Sequence, residues 1–174
     1  RVVNLLKDGD KDECLELWRN ILVRTSFLAI GVFFLFQLIA SDFIILLFTN
    51  DYSSSVIIFR ISLFLLFPNM LLYGILIRSI GQSKDVLKSN TITFFLSFPL
   101  LYFLTINFGI VGCSIAAVII FWINALLQIY FTKRHLDISI FDMVPFKTVN
   151  KFLFLSFTLY SILFFTKDFS LDTF

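Results

Sequence analysis

The sequence predicts an all-α protein, a polytopic transmembrane helix bundle with about five crossings. Hydrophobic residues make up 59% of its 174 residues, and the mean hydropathy is +0.93. Only 15% of the residues are charged, against roughly 25% in a soluble domain. Runs without charge cover 25–41, 61–77, 89–132 and 152–166. Since about 20 apolar residues cross the hydrocarbon, the longest run suits two crossings.

These runs place five predicted spans, named A to E, at 23–42, 54–79, 86–106, 110–132 and 150–167. The break between spans C and D falls in INFGIVG, where Asn107, Gly109 and Gly112 interrupt the apolar run. Pro68 and Pro99 lie inside spans B and C. Transmembrane helices tolerate internal proline because neighbouring groups satisfy the freed carbonyl, so we expect kinks there and not ends.

Basic residues alternate between the connections and predict the orientation. Residues 1–24 hold five, the A–B loop none, the region around the B–C loop three, the C–D turn none, the region around the D–E loop four, and the end of span E with its tail one. The positive-inside rule then places the start of a multi-pass chain on the cytoplasmic side of the cell membrane. The predicted units are an amphipathic cytoplasmic segment (1–22), four transmembrane helices (23–134), a cytoplasmic surface loop (135–149), and a fifth span with an outer tail (150–174).

Few residues could support enzymatic chemistry. His135 lies beside basic residues in a predicted loop, spans B to E contain no Asp or Glu, and Asp42 falls at the outer end of span A. Cys14 and Cys113 fall on opposite sides of the membrane and lack metal-ligand spacing. No basic run with interleaved aromatics supports nucleic-acid binding. We therefore expect no enzyme, no catalytic residue, no metal, no cofactor and no nucleic-acid partner.

The order of motifs along spans B to D points to a family. After LLFTNDY, the stretch IFRISLFLLFPNMLLYGILIRSIGQSKDVL carries an early Arg, a central Pro, a Tyr-Gly and a Gly-x-x-Lys turn, which are Arg60, Pro68, Tyr73, Gly74, Gly81 and Lys84. The next pair is joined by a Gly-x-x-Gly followed by small residues, which are Gly109, Gly112, Ser114, Ala116 and Ala117. Over about residues 5–134 the chain resembles the oligosaccharide flippases of the multidrug/oligosaccharidyl-lipid/polysaccharide exporter superfamily. One departure is that Thr49 or Asn50 replaces the glycine usual before the loop tyrosine.

The resemblance implies most of the C-terminal lobe of a two-lobe transporter with a central, often cationic cavity. Its cargo would be a lipid-linked oligosaccharide carrying phosphate or pyrophosphate, moved from the cytoplasmic to the outer leaflet by alternating access during polysaccharide biosynthesis. The implied partners are this substrate, membrane lipids and an N-terminal lobe of the same chain. Because the sequence begins at Arg1 without a cleavable signal, we expect it to be a piece of a longer protein.

Five residues are candidate substrate contacts: Arg60, Asn69, Tyr73, Arg78 and Asn124. Arginine binds phosphate in a bidentate fork, and a cation toward the outside runs against the positive-inside bias. Alternatively, Arg60 and Arg78, about 27 Å apart along a helix, snorkel to headgroups at the two membrane edges. The other three side chains either contact sugar or lipid, or form hydrogen bonds between helices.

Two other functions stay open at this point. A multidrug exporter of the same superfamily would be favoured by intramembrane carboxylates in the other lobe. An integral membrane sugar or acyl transferase would need acidic or histidine residues near the bilayer.

Overall fold

The computed structural model describes residues 11–70, Arg78, 81–136 and 146–171, and none of these residues forms a strand. The helices are α1 (Lys11–Phe48), α2 (Ser55–Ser62), α3 (Leu66–Met70), α4 (Ser83–Leu136) and α5 (Phe146–Leu171). The predicted all-α class is confirmed for this part of the chain.

Helix α1 joins the amphipathic segment and span A into one element. Its 38 residues extend about 57 Å at 1.5 Å per residue, well beyond the hydrocarbon thickness of about 30 Å. The placement of Asp42 at the outer end of the helix is wrong, because the apolar stretch FIILLF continues the helix to Phe48. Thr49, directly after the helix, has φ 72° and ψ 173°, a conformation that glycine adopts more readily.

Helices α2 and α3 form the described part of span B, with a 3-10 turn over Leu63–Leu65 between them. Pro68 in α3 has no N–H group to donate to the carbonyl of Phe64. Phe64 lies at the centre of the 3-10 turn, which is wound more tightly than an α-helix. Tyr73 and Gly74, within 71–77, lie outside the described residues. Arg78 is helical, and its carbonyl accepts a hydrogen bond from the Gly81 N–H at 3.0 Å.

Helix α4 is a hairpin and not a straight rod. A continuous helix would separate Asp85 from His135 by about 75 Å, yet their side chains are hydrogen-bonded. The chain reverses at Gly109, whose φ of 59° and ψ of −140° are not helical. The predicted break between spans C and D is therefore found at Gly109. Pro99 lies inside the first arm (83–108) without ending it.

The closed end of the hairpin depends on small residues in the second arm (110–136). A Cβ added to Gly112 would overlap with the backbone carbonyl of Leu104 in the first arm, so only glycine fits at this crossing. Ala116, one turn later, is fully buried. Gly112 and Ala116 therefore allow the two arms to pack closely.

A buried apolar cluster ties the amphipathic start of α1 to three other elements. Its members are Trp18, Leu22, Ile30, Met70, Ile129 and Val149, which come from α1, α3, the second arm of α4 and α5. Trp18 is 2% exposed and Leu22 is 1% exposed. Trp18 and Leu22 of this segment therefore pack on protein.

The rest of the apolar surface is largely open. Two helical segments, Glu16–Phe48 and Ser83–His135, are long and apolar enough to cross a membrane. Only 22% and 11% of their most apolar windows are buried, whereas the core helix of a soluble protein is mostly buried.

Candidate functional site

A cavity of about 250 Å³ surrounds Arg60 between α1, α2 and α5. Its lining residues, called the Arg60 cavity below, are Phe33, Phe34, Gln37, Ile57, Arg60, Ile61, Phe64 and Tyr160. Aromatic rings build the walls: the Phe33 and Phe64 centroids are 5.0 Å apart, and those of Phe34 and Tyr160 are 5.6 Å apart. The cavity thus combines one cation with an aromatic wall.

Arg60 is held at its backbone, and no described residue pairs with its guanidinium. The Gln37 side-chain amide donates to the Arg60 carbonyl at 3.0 Å, which ties α1 to α2. No carboxylate among the described residues lines this cavity or pairs with Arg60, whose side chain is exposed. A guanidinium without a counter-ion presents five N–H donors to an anion. The arrangement can therefore bind phosphate or carboxylate in a bidentate manner.

A second cavity, of about 260 Å³, lies between the two arms of α4 and is called the amide cavity. It is lined by Asn90, Thr93, Phe94, Ser97, Ile120, Phe121 and Asn124. Asn124 donates to the Asn90 side-chain oxygen at 3.1 Å, and Gln128 donates to Asn124 at 3.1 Å. The predicted site residue Asn124 therefore belongs to an interhelical amide chain that also lines a cavity.

The other predicted site residues do not join these two cavities. Asn69 is exposed and donates to the Leu65 carbonyl of its own helical turn at 2.9 Å. Arg78 is exposed and lines neither cavity. Tyr73 lies outside the described residues. The structure thus separates Arg60 and Asn124 into two sites.

A charged cluster holds the open end of the hairpin. Asp85, in the first turn of α4, is 6% exposed and contacts both Lys88, at 2.9 Å, and the imidazole of His135. The hydrogen bonds from Lys88 and then His135 lower the pKa of the Asp85 carboxyl below its ordinary value. His135 lies in the last turn of α4, so its predicted position in a loop is wrong. The helix thus extends past the apolar run, and this contact joins its last turn to its first.

Several residues of these sites were missed at the level of sequence. Gln37 is an amide in a charge-free run, and this polarity marks it as a candidate. Tyr160 and Asn90 also lie in or near apolar runs. Nothing in the spacing of Asp85 and His135, fifty positions apart, indicates their contact.

Comparison of the chain with protein-family models, with characterised proteins and with solved structures finds no match. Among the described residues there is also no group of three or more His, Cys, Asp or Glu side chains arranged to hold a metal ion.

Proposed function

We propose that this chain is part of a multi-pass transporter of the cytoplasmic membrane that flips a lipid-linked oligosaccharide from the cytoplasmic to the outer leaflet. The observation that carries the proposal is Arg60, a cation without a carboxylate partner among the described residues, in an aromatic cavity between three helices. The motif order of spans B to D supports the same function.

The membrane location is supported by the open apolar surface of the long helices. Exposed side chains on the first arm of α4, outside the amide cavity, include Phe95, Phe98, Tyr102 and Phe103. Monomeric soluble proteins rarely leave contiguous apolar patches larger than a few hundred Å² uncovered. Lipid, or a second lobe of the transporter, would cover this surface.

Five crossings are supported by the geometry of the α4 hairpin. Each arm holds about 26 residues, or about 39 Å of helix, which is enough to cross the hydrocarbon once. The contact between Asp85 and His135 brings together the ends of the two basic connections, after span B and after span D. The positive-inside rule requires these two connections to share the cytoplasmic side.

The positive charge of Arg60 favours an anionic cargo over a cationic one. Arg60 would bind the phosphate or pyrophosphate of a polyprenyl-linked sugar, while the ring-lined wall accepts apolar atoms. A cationic drug, the typical cargo of a multidrug exporter, would be repelled by an unpaired guanidinium. Transport would follow from rocking of this lobe against its partner lobe, without making or breaking a covalent bond.

The test compares substitutions of Arg60 in the full-length protein, reconstituted in liposomes with a fluorescent lipid-linked oligosaccharide. Arg60→Ala should lower the flipping rate about tenfold or more, since a hydrogen bond to a charged group contributes about 1.5–3 kcal/mol. Arg60→Lys keeps the charge but not the fork, so its rate should be intermediate. Melting temperatures in detergent should stay close to that of the wild type.

The matched control is Arg24→Ala, which removes an exposed arginine of α1 that lines neither cavity. This variant should flip substrate at the wild-type rate. Wild-type flipping by the Arg60→Ala variant, at equal protein levels, would remove the assigned role of Arg60.

A second candidate function, a membrane sugar or acyl transferase, is favoured by one observation. The Asp85 carboxylate contacts His135, and a carboxylate that orients a histidine is the arrangement of a general base. His135→Gln would abolish a transferase activity but leave flipping by the proposed transporter within about threefold. Loss of sugar or acyl transfer in this variant would support the second candidate over the first.

A further inference from the structure

The amide cavity in the α4 hairpin has a composition distinct from that of the Arg60 cavity. No charged side chain lines it among the described residues. Its polar lining consists of Asn90, Thr93, Ser97 and Asn124, and the exposed rings of Phe94 and Phe121 flank these groups. The cavity therefore suits neither a phosphate, which needs a cation, nor a metal ion, which needs carboxylate or imidazole ligands.

The hydrogen bonds in this cavity run in one direction and end at a free donor. Gln128 donates to Asn124, and Asn124 donates to the side-chain oxygen of Asn90, each at 3.1 Å. Within the described part of the chain, the Nδ2 of Asn90 donates to no acceptor, and Asn90 is exposed. This amide nitrogen carries two N–H groups that can donate hydrogen bonds to a ligand oxygen.

Two hydroxyls supply the complementary acceptors. The Thr93 hydroxyl donates to the Ser89 carbonyl at 2.8 Å, and the Ser97 hydroxyl donates to the Phe94 carbonyl at 2.6 Å. Because each proton is committed to the helix backbone, each oxygen offers its lone pairs to a ligand O–H. The cavity thus presents donors and acceptors together, as a hydroxyl-bearing ligand requires.

The two rings complete the match to one ligand class. Phe94 is 58% exposed and Phe121 is 45% exposed, so both leave ring surface uncovered at the cavity. The negative face of an aromatic ring attracts the weakly positive C–H groups of a saturated ring. A molecule with hydroxyls on its edge and C–H groups on its faces is a sugar.

We propose that the amide cavity is a subsite for a neutral sugar ring of the transported oligosaccharide, separate from the phosphate site at Arg60. This inference rests on the proposed function. It also accounts for the exposed amide of Asn90 within a long apolar helix, which would be costly against lipid but is satisfied by a sugar or by water in the cavity.

The experiment measures binding of two probes to the full-length protein in detergent. One probe is the oligosaccharide repeat unit of the polysaccharide that the source cell exports, released from its lipid. The other is a polyprenyl phosphate without sugar. Asn90→Leu should weaken binding of the oligosaccharide about three- to tenfold, the loss expected for neutral hydrogen bonds, and leave polyprenyl phosphate binding unchanged. Arg60→Ala should do the converse.

Two further variants control for packing. Asn107→Leu removes another exposed asparagine from the same arm, outside the cavity, and should leave binding of both probes unchanged. Ser97→Ala removes one acceptor with almost no change in size, and should weaken oligosaccharide binding about two- to threefold even if Asn90→Leu fails to fold.

The outcomes separate the two proposals. Wild-type oligosaccharide affinity in both Asn90→Leu and Ser97→Ala would overturn the sugar subsite and leave the flippase proposal standing. If the wild-type protein binds neither probe, the proposed function itself is wrong, and the subsite falls with it.

Discussion

The two ends of the α4 hairpin are held together in different ways. At the open end, the buried Asp85 joins the two arms through His135 and is also bound by Lys88. At the closed end, the arms meet through backbone, with a reversal at Gly109 and a glycine contact at Gly112. No charged residue occurs between Lys88 and Lys133, so charge is confined to the open end.

If the chain crosses the membrane as proposed, the charge at the open end predicts which end would meet the cytoplasm. Backbone packing is sufficient to close a hairpin, since the closed end does so without any ion pair. Lys84 and Lys133 take no part in the Asp85 cluster, so they are not needed to join the arms, and the positive-inside rule would assign both of them to the cytoplasmic side. We expect the open end inside and the closed end outside.

The largest expected effect is an all-or-none labelling pattern that tests this orientation. Single cysteines are introduced by Lys84→Cys, Lys133→Cys or Asn107→Cys in a full-length protein with serine at every native cysteine position. A membrane-impermeant maleimide should label only the Asn107→Cys variant in intact cells, and the two lysine variants only after permeabilisation. Labelling of the Lys84→Cys and Lys133→Cys variants from opposite sides would refute the five-span topology.

The second-largest expected effect is a loss of stability caused by a substitution at the closed end of the hairpin. Gly112→Val should separate the arms and destabilise the protein by about 1–3 kcal/mol or more, because the added side chain overlaps with the Leu104 carbonyl. Thermal unfolding in detergent measures the change. Gly31→Ala is the control, since a Cβ at this exposed helical glycine meets nothing within 4 Å, and it should stabilise by about 0.5–1 kcal/mol. Equal melting temperatures for the wild type and Gly112→Val would contradict the close crossing.

The smallest expected effect is a pH-dependent contribution of Asp85 to stability at the open end of the hairpin. The pKa of Asp85 is lowered in the folded state, so its contribution is present at neutral pH and is lost as the pH falls below about 4 toward the lowered pKa. Asp85→Asn should melt several degrees below the wild type at pH 7, and this difference should shrink on acidification to pH 3. Melting temperatures of both proteins across this range provide the measurement. A difference independent of pH would show that the carboxylate does not stabilise the hairpin through its charge.

Much of the fold could be predicted because its determinants are local. Apolar runs predicted helices, and the glycines of INFGIVG predicted the reversal, since only a residue without a side chain takes φ of 59° there without strain. Helix ends were less predictable. Span A was ended at Asp42 because charge was taken as a boundary, whereas the backbone hydrogen bonds of α1 continue to Phe48.

The candidate sites were predicted only in part because they depend on distant residues. Arg60 was identified by its charge in an apolar segment, but its neighbours Gln37 and Tyr160 come from other helices. Which faces of those helices meet is decided by side-chain packing, not by spacing along one element. The pairing of Asn90 with Asn124 and of Asp85 with His135 likewise follows from the position of the reversal, which aligns the arms.

The short reversal also has a consequence for biosynthesis. At about 5–20 residues per second, the second arm leaves the ribosome within roughly 1–5 s of the first. A first arm released alone would hold the Asn90 amide against acyl chains, whereas a paired arm gives it Asn124 at once. We therefore expect the insertion machinery to deliver the two arms into the bilayer as one unit.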